Sequence, residues 1–166
     1  QIHSATIESG VLENQEVLNQ LYALKKETGI KIGITTSGPN QSEVISAALK
    51  VRGDKDDLCD SFQVSYNVFE QSAFSVLQEA IKQGKIVIIK EALANGRVFQ
   101  NEKFPEYSKS YNVLERLAKK YKVGIDAIAL RFVMDSLKPT YVLSGASNSK
   151  QLLQNLKAND FELLEG

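Results

Sequence analysis

"KIVIIKEA", residues 85–92, decides how the rest of the chain is read. Ile86, Val87, Ile88 and Ile89 follow one another with no polar residue between them. An alternating run would mark a strand with one wet face. An unbroken apolar run marks a strand buried on both faces, as in a parallel sheet covered by helices. Gly84 stands just before it and stops a helical pattern, "EQSAFSVLQEAIKQ" at 70–83.

Outward from this strand the same alternation repeats. Toward the N-terminus come a strand "SFQVSYNV" (61–68), a solvated loop "DKDDLCD" (54–60), a helix over 41–51 ended by Gly53, and a turn "SGPN" (37–40). Asn40 reads as the N-cap of that helix, with Glu43 as its capping-box partner. Before it lie a strand "IKIGITT" (30–36) and a helix "ENQEVLNQLYALKKETG" (13–29). That helix sets Val17, Leu18, Leu21 and Leu24 on one face and stops at Gly29. Gln1-Ile2-His3 reads as the end of a further strand. Toward the C-terminus come a long loop over 94–110, helices over 109–121 and 125–136, and a strand "PTYVLSGA" (139–146). A last helix follows, capped by Asn148 with Gln151 in the box position, and then a tail.

Strands separated by helices imply right-handed βαβ units and a parallel sheet. The chain holds 166 residues, and an eight-stranded barrel needs about 250. Four whole strands and one stub therefore suit about half of such a barrel. The competing small open sheet lacks a G-x-G-x-x-G phosphate turn. Residues 1–166 are read as a single partial domain.

Charge is balanced, 20 basic against 20 acidic residues, and no basic patch stands out, so nucleic acid and membrane are not expected partners. One cysteine, Cys59, excludes an internal disulfide and points to a reducing compartment, with a cytoplasmic location expected. The carboxylates beside Cys59 argue against a reactive thiolate, and no spacing of His, Cys and Asp fits a metal site.

The pieces "IHSAT", "KIGITTSG", "FQVSYNVFEQ", "IVIIKEALANGRVF", "LAKKYKVGIDAIALRFVMD" and "VLSGASNSKQLLQNLKAN" then resemble, in this order, the C-terminal half of the aldo-keto reductases. The resemblance implies the C-terminal half of a (β/α)8 TIM barrel, from the end of strand four onward. It implies an oxidoreductase that transfers hydride from NAD(P)H to a small-molecule aldehyde or ketone. NADPH is the expected cofactor, with NADH left open. The family uses an Asp-Tyr-Lys-His tetrad, and His3 matches its histidine. A neutral imidazole there would donate to the carbonyl oxygen as charge builds on it. The Asp, Tyr and Lys would lie upstream. The alternative is a non-catalytic half-barrel, a fragment or a cofactor- or partner-binding module. Either way the expected partner is a missing N-terminal half-barrel or a second copy, because a half-barrel leaves open strand edges.

The resemblance also implies the cofactor contacts. Thr35 and Thr36 stand where the family usually has a Ser-Asn pair on the carboxamide, and Gln63 matches its glutamine there. Lys90 stands where many members have a tyrosine stacked on the nicotinamide. Leu93, Asn95, Gly96 and Arg97 match the loop that meets the pyrophosphate. Gly145, Ala146, Gln151, Gln154 and Asn155 match the segment that holds the adenosine end. Phe99, Phe104 and Tyr107 are candidates for the substrate wall.

Overall fold

The computed structural model describes residues 1–36, 38–53 and 57–163. The strands are ordered β1 to β5 along one sheet, as expected of parallel strands that alternate with helices. The chain divides into two compact units, Gln1–Ser65 with Ser72–Ile88, and Tyr66–Gln71 with Ile89–Gly166. Each is described in turn.

The first unit holds β1 (Ile2–Ala5), α1 (Gln15–Thr28), β2 (Ile32–Thr36), α2 (Gln41–Ala48), β3 (Cys59–Ser65), α3 (Phe74–Lys82) and the start of β4 (Ile86–Lys90). β1 pairs with β2 and β2 with β3, both parallel. Glycine suits position 33 at the β2–β3 seam, since a Cβ there would lie 2.0 Å from Ser61 Oγ and 3.0 Å from Ser61 O, and the serine would have to shift. Ile34, Val44, Ile45, Leu58, Phe62, Val64, Leu77 and Val87 are fully buried and form the core. Full burial of such a side chain stabilises by about 1.5–3 kcal/mol.

α1 starts at Asn14, whose side chain accepts from Val17 N–H, and ends at Gly29 in the left-handed region at φ 71°. Glycine takes that conformation without steric cost. Asn40 does not cap α2. Its backbone, at φ −90° and ψ 20°, is already near-helical, and its side chain makes no capping bond. A capping side chain needs an extended residue to reach back over the first turn. Gln41 instead takes the useful position. It is buried, donates through Nε2 to Ser65 O at 2.9 Å, and accepts from Ser65 N–H at 3.2 Å.

The loop expected over 54–60 is also corrected in its second half. Residues 54–56 lie outside the described residues. Leu58 and Cys59 are buried, and Cys59 opens β3. The charges nearby are paired, which permits the burial. Lys25 Nζ donates to Asp57 O at 2.9 Å, Leu58 O at 3.1 Å and Asp60 Oδ1 at 2.8 Å. Lys85 Nζ meets Asp57 Oδ2 at 2.6 Å. Two lysines thus tie the end of α1 and the entry to β4 onto the start of β3.

The second unit holds the end of β4, α4 (Ser108–Tyr121), α5 (Ile125–Leu137), β5 (Tyr141–Val142) and α6 (Ser149–Leu156). Its core is Ala94, Val98, Leu114, Ile128 and Ala129, ringed by Phe69, Leu117, Tyr121 and Phe161. The loop expected over 94–110 contains two 3₁₀ turns, Ala94–Gly96 and Pro105–Tyr107, and α4 begins at Ser108. β5 is far shorter than the expected strand 139–146. Leu143 N–H still donates to Ile89 O at 2.9 Å, but Gly145 turns left-handed at φ 64° and ends the extended run. Asp135 accepts from Arg131 and from Leu163 N–H, at 2.8 Å for the latter, and so holds the tail against α5. Among the described residues no helix is long and apolar enough to cross a membrane.

Candidate active site

The sequence-predicted residues fall into two groups, one in each unit. In the first unit His3 lies on β1 and is exposed. Its Nδ1 lies 3.0 Å from Ser4 Oγ. Ser4 has φ 53°, and the β1–β2 register shifts between Ile2 and Ala5. The strand therefore continues past His3 with a kink, where the sequence suggested an end. Thr35 donates to Gln1 Oε1 at 2.9 Å, and Thr36 to Gln63 O at 3.4 Å. Both hydroxyls are engaged within the unit. Gln63 is half-buried on β3.

In the second unit the chain builds a cleft of about 710 Å³ at the carboxyl ends of β4 and β5. Lys90, Leu93, Asn95, Gly96, Gly145, Ala146, Gln151, Gln154 and Asn155 all line it. Nine of the ten cofactor residues predicted for this unit are thus brought together. Arg97 is the exception. Its Nε donates to Ala94 O at 2.9 Å, which turns it back on its own loop. Of the aromatic candidates only Phe99 reaches the cleft. Tyr107 stacks on Phe69 with ring centroids 4.1 Å apart, and Phe104 lies against Tyr107.

The β4 wall is conformationally strained. Glu91, Ala94 and Asn95 have φ of 57°, 50° and 53°, followed by Gly96 at 84°. A non-glycine residue in this region costs about 1–2 kcal/mol. The cost is met by bonds within the loop and from one buried side chain. Ala94 N–H donates to Glu91 O at 2.7 Å, and Gly96 N–H to Leu93 O at 2.9 Å. Asn67 Nδ2 donates to Glu91 O at 3.0 Å, while its Oδ1 accepts from Phe69 N–H at 2.9 Å and Glu70 N–H at 3.0 Å. In the sequence, only the polarity of Asn67 at a strand end pointed to it.

The β5 wall is ordered by α6. Asn148 accepts from Gln151 N–H at 2.9 Å, as its capping pattern predicts. Gln151 Oε1 accepts from Ser147 N–H and Oγ, so its carbonyl end holds the turn. Asn155 is buried and donates to Ser144 O at 3.0 Å. Gly145 is left-handed, with open space where a Cβ would stand. Leu93, Phe99, Ile125 and Leu143 give the cleft an apolar body between these polar walls. Among the described residues no cluster of His, Cys, Asp or Glu fits a metal ion.

A parallel sheet with a cleft at the carboxyl ends of its strands is the arrangement shared by α/β proteins, open sheets and barrels alike. A model of the aldo/keto reductase family matches residues 6–165, and the chain belongs to that family, one of oxidoreductases that use NAD(P)H in general. Among curated proteins none matches the chain. A glycerol dehydrogenase from Gluconobacter oxydans is 19% identical with a TM-score of 0.66, over 99% of this chain and 54% of its own. An aldo-keto reductase from Bacillus halodurans, in its holo form, is 20% identical with a TM-score of 0.69, over 98% of this chain and 55% of its own. A thermostable aldo-keto reductase in complex with the inhibitor epalrestat is 22% identical with a TM-score of 0.65, over 99% and 54%. The likeness to these structures is one of fold, a half TIM barrel, and the chain spans about half their length.

Proposed function

We propose that the intact protein, of which residues 1–166 form one partial domain, transfers hydride from NADPH to an aldehyde or ketone. The observation that carries the reading is the cleft at the ends of β4 and β5. Its volume falls within the roughly 300–1,000 Å³ common to small-molecule sites. Its apolar body, polar walls and left-handed Gly145 turn suit a dinucleotide. When bound, the reduced nicotinamide supplies the hydride that adds to the carbonyl carbon. Leu93, Asn95 and Gly96 would hold the dinucleotide from one wall, and Gly145, Ala146, Gln151, Gln154 and Asn155 from the other. Thr35, Thr36 and Gln63 carry the carboxamide contacts that the family resemblance implies. By the same resemblance His3 donates to the carbonyl oxygen. The proton that completes the alcohol comes from a general acid in an N-terminal half-barrel.

That half is also the proposed partner. The sheet has five strands, and a barrel of this kind has eight. Three further strands complete it, whereas a second copy would bring five. A cytoplasmic setting agrees with the single buried cysteine. The cleft, which lies within the second unit, also suits a second reading, a cofactor- or partner-binding module without turnover.

The test is NADPH titration followed by carbonyl-dependent NADPH oxidation, each with His3→Ala. Binding, turnover and a loss of turnover in the variant are expected. Binding without turnover would select the module. Turnover unchanged by the substitution would remove His3 from the chemistry.

A further inference from the structure

We propose that Gln41 is a positioning residue, which fixes the carboxyl end of β3 so that the Gln63 side chain meets the nicotinamide carboxamide. The inference rests on the cofactor reading above, in which Gln63 makes that contact. Gln41 is the first residue of α2 and touches no part of the cofactor in that reading.

The role arises where β2 stops short of its neighbour. β2 ends at Thr36, and its register with β3 runs out at Thr35 opposite Gln63. β3 continues to Ser65. Backbone groups beyond the end of a partner strand need hydrogen bonds from elsewhere. Gln41 supplies them. It is 2% exposed, donates through Nε2 to Ser65 O at 2.9 Å, and accepts at Oε1 from Ser65 N–H at 3.2 Å. One side-chain amide carries both a donor and an acceptor, as a strand backbone does. Thr36 Oγ1 donates to Gln63 O at 3.4 Å. The main chain of Gln63 and that of Ser65 are thus held by β2 and by the helix that follows it.

Side chains alternate along a strand, so Gln63 and Ser65 share one face. Phe62 and Val64 on the other face are fully buried, whereas Gln63 and Ser65 are half-buried. Among the described residues, none hydrogen-bonds the side-chain amide of Gln63. Its aim therefore depends on the backbone beneath it, which Gln41 locks two residues further on. A two-bond contact with a planar amide tolerates only about 0.5 Å of displacement. Preorganisation of this kind favours affinity, because binding then orders little besides the Gln63 side chain.

Calorimetric titration of the full chain with NADPH, and with 2′-phospho-ADP-ribose as the same dinucleotide without its nicotinamide, tests this. Gln41→Leu is expected to weaken NADPH about tenfold, the scale of one lost hydrogen bond. Binding of 2′-phospho-ADP-ribose should stay as it was, which a merely structural role would not predict. In a Gln63→Leu background the same substitution should have little further effect on NADPH. Gln41→Glu keeps the acceptor for Ser65 N–H and loses the donor to Ser65 O. It should give the same pattern more weakly, and it serves where the leucine variant does not fold. Equal weakening of both ligands, unchanged NADPH binding, or a full tenfold loss on top of Gln63→Leu would overturn the assignment. Two results reach the underlying reading instead. An unsubstituted chain that binds both ligands equally removes the carboxamide contact of Gln63, and one that binds neither removes the cofactor reading, and this inference falls with either.

Discussion

Asn67 is 1% exposed and makes three hydrogen bonds from one side chain, to Glu91 O, Phe69 N–H and Glu70 N–H. Each such bond contributes about 0.5–1.5 kcal/mol net. Asn67→Ala should therefore cost about 2–4 kcal/mol in denaturant unfolding. Amide exchange at Ala94 and Gly96 should speed up with it, and unchanged protection there would dissociate Asn67 from the strained loop. Cys59 is the converse case, a buried group kept inert. Burial pushes its thiol up to about 11, against the pull of Lys85 and Lys25. Native protein at pH 8 should leave Cys59 unmodified by a thiol reagent, and denaturant should expose it at once. Asp135 gives the pH dependence. Its bonds to Arg131 and then to Leu163 N–H hold its carboxyl below the ordinary 3.8. A depressed folded value means that the stabilisation is fully present above 3.8 and is lost as pH falls through the lower folded value. Asp135→Asn should flatten that acid limb in thermal melts. Burial pushes the phenols of Tyr66 and Tyr111 upward.

At the scale of elements, α6 is an amphipathic helix whose apolar residues are largely exposed. Leu152, Leu153 and Leu156 are 44%, 66% and 49% exposed, and Asn155 is its one buried residue. Packing holds it weakly, so its cap matters more than usual. Asn148→Ala should lower stability by about 1 kcal/mol and loosen the Ser147–Gln151 turn. NADPH affinity should fall with it, since that turn adjoins the Gly145–Ala146 wall. A stability loss with unchanged affinity would separate the cap from the site. At the β2–β3 seam, Gly33→Val should cost more than a surface change, because Ser61 O would lie 3.0 Å from the first added carbon. Overpacking of this kind costs about 1–3 kcal/mol.

At the scale of the molecule, exposed apolar groups gather on one segment of the second unit. Tyr141, Leu143, Leu152, Leu153 and Leu156 are all exposed there, beside the short edge strand β5. An apolar edge of this kind invites a further strand. The 166-residue chain alone should bind a hydrophobic dye or run larger than its 18.4 kDa. Leu153→Lys should reduce either effect. A dye-silent monomer of that mass would count against a covering half-barrel.

Periodicity made the helices legible, because α1 carries an apolar stripe and stops at Gly29, and the pattern of α3 stops at Gly84. "KIVIIKEA" signalled a strand of a parallel sheet, but its burial is not equal on both faces: Val87 and Ile89 are buried, whereas Ile86 and Ile88 are half-buried. The family pieces brought nine of ten second-unit cofactor residues to one cleft. Local signals misled where two answers satisfy the same residues. Asn40 has the composition of a cap, but its own φ and ψ forbid the bond. "DKDDLCD" has the composition of a wet loop, yet Lys25 and Lys85 arrive from distant positions to neutralise it. Arg97 matches the loop that meets the pyrophosphate, but its Nε turns to Ala94 O and it does not line the cleft. The sequence by itself determined which segments are helix and strand and which family they belong to, since those follow from patterns local along the chain. Only the tertiary structure decided which polar groups are spent on the fold and which remain for a ligand, because hydrogen bonds are satisfied in space, between residues that the order of the chain keeps apart.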